Sequence, residues 1–391
     1  GVGRSMPRAF SFASIRPVMP SSFAAWLQPA YIYRRRPPQG SLEPMHRLDA
    51  DEDCPVRDQF YMPAEWARHE RTWMQWPCRV APWGSPEGMA LARQAYGVVA
   101  RTIARFEPVT MVVRPQDRAE AQLVLGPKIE VFEAPIDDSW ARDSGPTFLV
   151  NGKGGRAGIQ WRFNAWGTKY TPFDSDASIA TKILKAQGLR VYEGPLTVEG
   201  GALHVDGAGT LLVTEQCLLN ENRNPELTRQ QIEARLALYL GVLRIVWLGD
   251  GLKDDETDGH VDNVACFAPG GRVLLAMPRD KADPNYPAMS DNLVRLHDAR
   301  AADGGRFEVV ELPLPHAVRT RHDGSRLEMS YVNYYACNGA IVMPAFGDKA
   351  DEEARRILAD VYPEREIVQI DAMPIVEGGG GVHCITQQQP L

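Results

Sequence analysis

Short runs of aliphatic and β-branched residues recur along the chain, at Val109–Val113, Thr147–Val150, Thr210–Val213, Arg272–Ala276 and Ala340–Met343. Turn-forming residues bound each run, so each reads as a strand. The last three begin roughly sixty to seventy residues apart, and helical periodicity follows at 225–240 and 349–361. The letters repeat too: His204-Val-Asp206 returns as His260-Val-Asp262, and Glu199-Gly-Gly201 is echoed by Glu377-Gly-Gly-Gly-Gly381. A recurring unit of strands plus one helix predicts an α/β chain in a radial or solenoid arrangement. In a radial one, strand ends of successive units meet at the axis, where side chains far apart in sequence can share a site.

With 391 residues, 44% apolar and 24% charged, the chain can bury a large core. Closed β-rich architectures often run this long as one unit, so a single domain over 56–391 is expected. Residues 1–42 hold six arginines and no acid, which leaves −13 on the remainder of a chain whose net charge is −7. Such an acidic body argues against nucleic acid as a partner and suits a small cationic ligand. No apolar run nears the roughly 18 to 20 residues of a membrane span. Cys54, Cys78, Cys217, Cys266, Cys337 and Cys384 form neither CxxC pairs nor a short-interval framework. Reduced thiols in a cytoplasmic protein are therefore expected, with neither a zinc knuckle nor a disulfide scaffold. Residues 1–55 lack a compact apolar segment, and Pro17, Pro20, Pro29, Pro37 and Pro38 interrupt any helix. They read as a disordered extension, or as translated sequence upstream of a start near Met45.

Four constellations carry chemistry. Cys384 follows four glycines and His383, which let the backbone turn tightly or approach a ligand closely. The alternative for any cysteine is a small buried hydrophobe; Cys217, read as lying in an apolar strand, looks like core, and its loss is expected to affect stability more than turnover. In Gly259-His-Val-Asp262, an extended backbone would put His260 and Asp262 on one strand face. A carboxylate beside the imidazole would raise its pKa and suit it to proton transfer. A structural histidine or a metal-ligand pair are the other readings, and the twin His204 and Asp206 means one copy is structural. Asp137-Asp-Ser-Trp-Ala-Arg-Asp-Ser-Gly145 is either a solvated turn or, through Trp140 and Asp143, an aromatic face and a carboxylate for a planar cation. Glu199, beside glycines, could turn inward or cap a loop.

Together these residue types suit one electrophile. A guanidinium carbon becomes attackable when its charge is localised and its geometry fixed, which two carboxylates bracketing its nitrogens would achieve. A thiolate could then attack, with a histidine protonating the departing ammonia and afterwards activating water.

At this point the residues resemble the agmatine deiminases, relatives of the bacterial peptidylarginine deiminases in the guanidine-modifying superfamily. The resemblance runs from Tyr61 to Pro390 and rests on Met62-Pro-Ala-Glu-Trp66, Trp140-Ala-Arg-Asp-Ser-Gly-Pro146, Glu199-Gly-Gly201, Leu218-Leu-Asn-Glu-Asn-Arg-Asn-Pro225, Gly259-His-Val-Asp-Asn263, Ser330-Tyr-Val-Asn333 and His383-Cys-Ile-Thr-Gln-Gln-Gln-Pro390. It implies a five-bladed α/β propeller, the pentein fold, with pseudo-fivefold repeats and a central active site. It implies Cys384 as nucleophile forming a thiouronium, His260 as general acid and base, Asp143 and Asp262 on the guanidinium nitrogens, and Glu199 orienting the histidine. Trp140 would line the substrate, Glu256 would lie near the distal amine of agmatine, and His204 would be the structural copy. No cofactor or metal is implied; a homo-oligomer and a place in putrescine formation are. Cys337-Asn-Gly-Ala-Ile-Val-Met-Pro344 departs slightly from the usual Asn-Gly-Gly pattern, which is expected to alter packing alone.

The rivals are a peptidylarginine or free-arginine deiminase with the same chemistry, a metallohydrolase using His204, Asp206, His260 and Asp262, and a catalytically silent binding propeller. The segment 378–388 is expected to be ordered and buried, against the tendency of termini to fray.

Overall fold

Five small sheets repeat one construction among the described residues of the computed structural model, which are 53–391 with Gly1 and Gly3. A first strand pairs antiparallel with a central strand; the chain then crosses through a helix and returns parallel on the other side. Thr147–Val150, Arg156–Arg162 and Arg190–Thr197 do this around the helix Ile179–Ala186. His204–Val205, Thr210–Thr214 and Arg244–Leu248 repeat it around Arg229–Leu240. Ala265–Ala268, Arg272–Met277 and Glu308–Pro313 use Tyr286–Asp298, while Tyr335–Cys337, Ala340–Ala345 and Glu366–Asp371 use Ala350–Val361. In the remaining sheet the antiparallel partner of His69–Gln75 is the last strand of the chain, Gln387–Pro390. Val109–Val113 follows the helix Pro86–Ile103 there and pairs parallel, and Glu130–Glu133 adds a fourth strand. The extension expected over 1–55 falls almost wholly outside the described residues.

The sequence accounts for the position of each strand. Thr210–Thr214 and Val109–Val113 are apolar or β-branched throughout and buried at every residue, as strands covered on both faces must be. The outermost strands carry charge instead: Glu308, Glu311, Glu366 and Asp371 are exposed, and charges on an edge discourage further pairing. The predicted helix over 225–240 begins at Arg229, because Thr228 caps it reciprocally with Gln231. Two central strands, His69–Gln75 and Arg156–Arg162, escape sequence reading because His, Glu, Arg, Gln and Gly interrupt their apolar pattern. Their pairing is held by neighbours on both sides, an override of local propensity by tertiary context. Among the described residues no helix is long and apolar enough to cross a membrane.

Candidate active site

Each first strand is preceded by a short irregular segment, and these five segments touch in a ring. Asp143 lies on the single turn Ala141–Ser144 ahead of Thr147, and its Oδ1 accepts the Gly201 amide at 3.0 Å. Glu199, just before the 3-10 turn Gly200–Ala202, places Oε2 3.4 Å from Nε2 of His260. Asn333, two residues ahead of Tyr335, donates to the Asp262 carbonyl and to Sγ of Cys384, both at 3.3 Å. Cys384 stands ahead of Gln387, and its carbonyl accepts the amide of Arg142 at 3.1 Å, which closes the ring. As expected, 378–388 is largely buried, with Gln387–Pro390 paired along its length.

The His260-Val-Asp262 segment is not a strand. His260 caps a 3-10 turn over Val261–Asn263, and the strand starts only at Ala265. The loop before it is pinned by Asp255, which accepts both the amide and the hydroxyl of Thr257, and Thr257 in turn accepts the His260 amide. The turn, not strand alternation, brings both side chains to the centre. His204, the twin, is in a strand; its Nδ1 accepts the Phe267 amide at 3.2 Å and its Nε2 faces Glu65. Asp206 caps its own turn through the amides of Ala208 and Thr210. The four residues of the metallohydrolase reading therefore do not assemble into one ligand set.

One point at the centre shows the geometry. A β-carbon added to Gly201 would lie 2.6 Å from Nδ1 of His260, 2.8 Å from Oδ1 of Asp143 and 3.0 Å from Oδ2 of Asp262. Three groups thus surround a space that only glycine leaves open. Oδ2 of Asp262 is also 3.6 Å from Sγ of Cys384. Nδ1 of His260 and Oδ1 of Asp262 are buried without a hydrogen-bond partner, and such groups are costly unless a ligand satisfies them. All of Cys384, His260, Asp143, Asp262 and Glu199 are at most 5% exposed, so water screens none of these charges.

Burial therefore sets the electrostatics, and neighbours correct it. Burial pushes the Asp143 carboxyl up to about 6, with His260 opposing and Asp262 and Glu199 adding to the rise. For Asp262 burial is outweighed by His383, then by His260 and Arg142, and the carboxyl falls below its ordinary range. His260 rises well above an ordinary imidazole because Asp143, Cys217 and Glu199 overcome desolvation. Glu199 is held low by His260 and by Arg223, whose Nε lies 2.8 Å away. The Cys384 thiol is driven well up by burial, Asp262 and Asp143. An arriving cation would offset the influence of those two carboxylates.

Trp140 stacks on Trp83 at 6.0 Å between centroids, and a β-carbon on Gly380 would collide with Trp140 while touching Cβ of Cys384. The next glycine back, Gly379, has φ +102°, and a β-carbon there would meet Oε2 of Glu256 at 2.4 Å. Glu256 is engaged, accepting from Tyr170 at 3.0 Å and pairing with Arg321 at 2.8 Å. Glu377 ends a short helix and has no part in the ring, so its echo of Glu199 is one of letters only.

Sequence reasoning gave no role to Asn333, His383, Glu65, Arg223 or Trp166, whose Nε1 donates to Asp143 at 2.9 Å. Their signal was present: Asn333 and Glu65 lie in matched motifs, and His383 adjoins the thiol. Cys217 was misplaced. It is buried core, but on the helical turn Glu215–Leu218, with its sulfur, a Glu199 oxygen and a His260 nitrogen all within 4.8 Å of one another. Those three could ligate a metal by type, yet Glu199 is already committed to the buried Arg223 guanidinium, which opposes a dication.

Known proteins resemble this chain over most of its length. The family model for Porphyromonas-type peptidyl-arginine deiminase matches residues 61–390. An agmatine deiminase of Stutzerimonas stutzeri is 46% identical over 359 residues, covering 86% of this chain and 97% of that protein. One from Pseudomonas syringae pv. tomato is 45% identical over 362 residues, with the same coverage of 86% and 97%. The solved structure of an Enterococcus faecalis agmatine deiminase, captured catalysing its reaction, superposes with a TM-score of 0.83 at 36% identity, covering 87% of this chain and 98% of that one. The mixed α/β fold is thus the one those deiminases share, and this chain belongs to the Porphyromonas-type peptidyl-arginine deiminase family.

Proposed function

We propose that this protein hydrolyses agmatine to N-carbamoylputrescine and ammonia through a thiouronium on Cys384. The observation that carries this is the central space, where Asp143, Asp262 and His260 surround one point and Cys384 stands 3.6 Å from Asp262. We read the five sheets as the blades of an α/β propeller and the ring of segments as its hub.

The substrate guanidinium lies between the carboxylates of Asp143 and Asp262, which neutralise its charge and fix its plane. Its charge favours the thiolate of Cys384, whose sulfur bonds to the guanidinium carbon. His260 delivers a proton to one terminal nitrogen, the C–N bond breaks, and ammonia leaves the thiouronium behind. A water molecule then gives its proton to His260 as its oxygen attacks the same carbon. Cleavage of the C–S bond returns Cys384 and releases the ureido product; the net proton leaves with ammonia as ammonium. Glu199, held by Arg223, orients His260 through its Nε2. Trp140 covers the substrate beside Gly380. The distal ammonium goes to Glu256, which abuts Gly379, the neighbour of the Gly380 that borders Trp140 and Cys384. We place the reaction in the cytoplasm, where the free thiols persist reduced.

The test is to measure ammonia and ureido product from agmatine, free arginine and a peptidyl-arginine side by side, with iodoacetamide and with a chelator. Agmatine should be turned over best, alkylation should stop it, and chelation should leave it intact. Preferred turnover of a carboxylate-bearing substrate, or loss of activity to the chelator alone, would overturn the reading.

A further inference from the structure

Behind Asp262 lies a second charged pair that the mechanism above does not use. Nδ1 of His383 is 2.8 Å from Oδ2 of Asp262, and its Nε2 is 2.9 and 3.0 Å from the two carboxylate oxygens of Glu65. Carboxylates accept only, so both ring nitrogens must carry hydrogen, and the ring between them is an imidazolium. Arg142 donates to Glu65 at 3.1 Å. Nδ1 of His204 accepts the Phe267 amide, so its hydrogen sits on the Nε2 that faces Glu65 at 3.4 Å, and that ring is neutral. Asp262, His383, Glu65 and Arg142 make a charge-balanced set of two anions and two cations, each at most 5% exposed. In a set buried this deeply, breaking one contact strands its partner away from water, so the geometry of each member depends on the others.

We propose that Glu65 is a positioning residue for the reaction, acting through His383 to fix the Asp262 carboxylate, whose Oδ2 borders the central space and whose Oδ1 has no hydrogen-bond partner among the described residues. The proposal rests on the reading that a guanidinium lies between Asp143 and Asp262. It gives the Met62-Pro-Ala-Glu-Trp66 motif a task, since Glu65 lies far from Cys384 in sequence yet meets the residue beside it. Asp262 is faced by His383, His260, Arg142, Asp143, Asp255 and Cys384. Glu65 is faced by His383, Arg142 and His204, and Cys266 and Tyr362 feel its charge. Of the cations, only His383 bridges the two carboxylates. Removing the Glu65 charge should lower the affinity of His383 for its proton, and Asp262 should then be protonated at higher pH.

Glu65→Gln keeps the shape and removes the charge. KM for agmatine should rise about tenfold or more, and the inflection of kcat/KM that lies on the acid side of Asp143 should move up, with kcat at saturation changed less than about threefold. Glu65→Asp should recover part of the loss. A role in stability alone would lower the melting temperature and leave KM and the pH profile unmoved, and that outcome overturns the proposal. Nitrogen NMR of the unaltered protein tests the pair without any variant or substrate: His383 should show both ring nitrogens protonated at pH 8, and a neutral ring there overturns it. Should the unaltered protein fail to release ammonia from agmatine, the functional reading falls, while the NMR result still decides the pair.

Discussion

The backbone amide of Arg142 donates to the carbonyl of Cys384 across 3.1 Å, joining the turn before one sheet to the segment that ends the chain. Cys384 is therefore anchored from its C-terminal side. Gln387–Pro390 pairs with His69–Gln75, Trp73 Nε1 donates to Gln389 at 2.7 Å, and Gln387 donates to the Pro146 carbonyl at 2.6 Å. Deleting residues 387–391 should remove turnover altogether and lower the melting temperature by several degrees, since a strand and its buried partners are lost. Calorimetry beside an ammonia assay checks this; a truncated chain with normal kinetics would contradict it.

Cys384→Ala removes the only sulfur in contact with Asp262 and Asn333 among the described residues. Ammonia release from agmatine should vanish, while the melting temperature stays near that of the parent, because a thiol pressed by two acids contributes little to stability. Cys217→Ala differs: with His260 and Glu199 within 4.8 Å of its sulfur, turnover should fall along with stability, not stability alone. Persistent ammonia release by Cys384→Ala would end the thiol mechanism.

Substrate affinity should carry the signature of Asp143. Its folded pKa of about 6 exceeds that of an unfolded aspartate, so the stability it contributes is fully present at acid pH and is lost as pH rises through about 6. A bound guanidinium reverses this by favouring the ionised form. In the Cys384→Ala background, the association constant for agmatine should rise about tenfold per pH unit below 6 and level off above it, with one proton released on binding in acid buffer. Asp262 and Glu199 are held low and His260 well up, so none of these three should account for a rise in affinity toward pH 6. Titration calorimetry in two buffers of different ionisation enthalpy reads both effects. An affinity flat from pH 5 to pH 7.5 would show that Asp143 does not hold the cation.

Much of the architecture was legible because it repeats. The central strands beginning at Thr210, Arg272 and Ala340 are apolar apart from their threonines and Arg272, since both of their faces are covered, and so their period showed in the letters. His69–Gln75 and Arg156–Arg162 occupy the same place in their sheets but did not show, because polar residues there find partners only in the folded chain: Arg71 meets Glu130, and Arg156 pairs with Glu70. The site residues were legible as types and partly misread as geometry. His260 and Asp262 come together through a turn set by Asp255 and Thr257, a contact no two-residue alternation encodes. Glu65 and Asn333 showed as motif letters without a task, because that task is defined wholly by residues distant in sequence.

Gly201 offers the sharpest test of the central space, because its substitution changes volume without changing charge. Its backbone is outside the left-handed region, so alanine meets no conformational penalty of its own there. The added methyl would instead lie within 3.0 Å of His260 Nδ1, Asp143 Oδ1 and Asp262 Oδ2, closer than carbon and these atoms tolerate. The three groups must spread, and the buried contacts behind them, Trp166 on Asp143 and His383 on Asp262, resist that spreading. Overpacking of this kind costs about 1 to 3 kcal/mol of stability, which a chain of this size can absorb. The space for a planar cation is lost outright, so Gly201→Ala should fold, melt a few degrees lower, and bind agmatine at least about a hundredfold more weakly, a difference of about 2.7 kcal/mol. A folded Gly201→Ala protein that binds agmatine as the parent does would place the cation somewhere other than between these carboxylates.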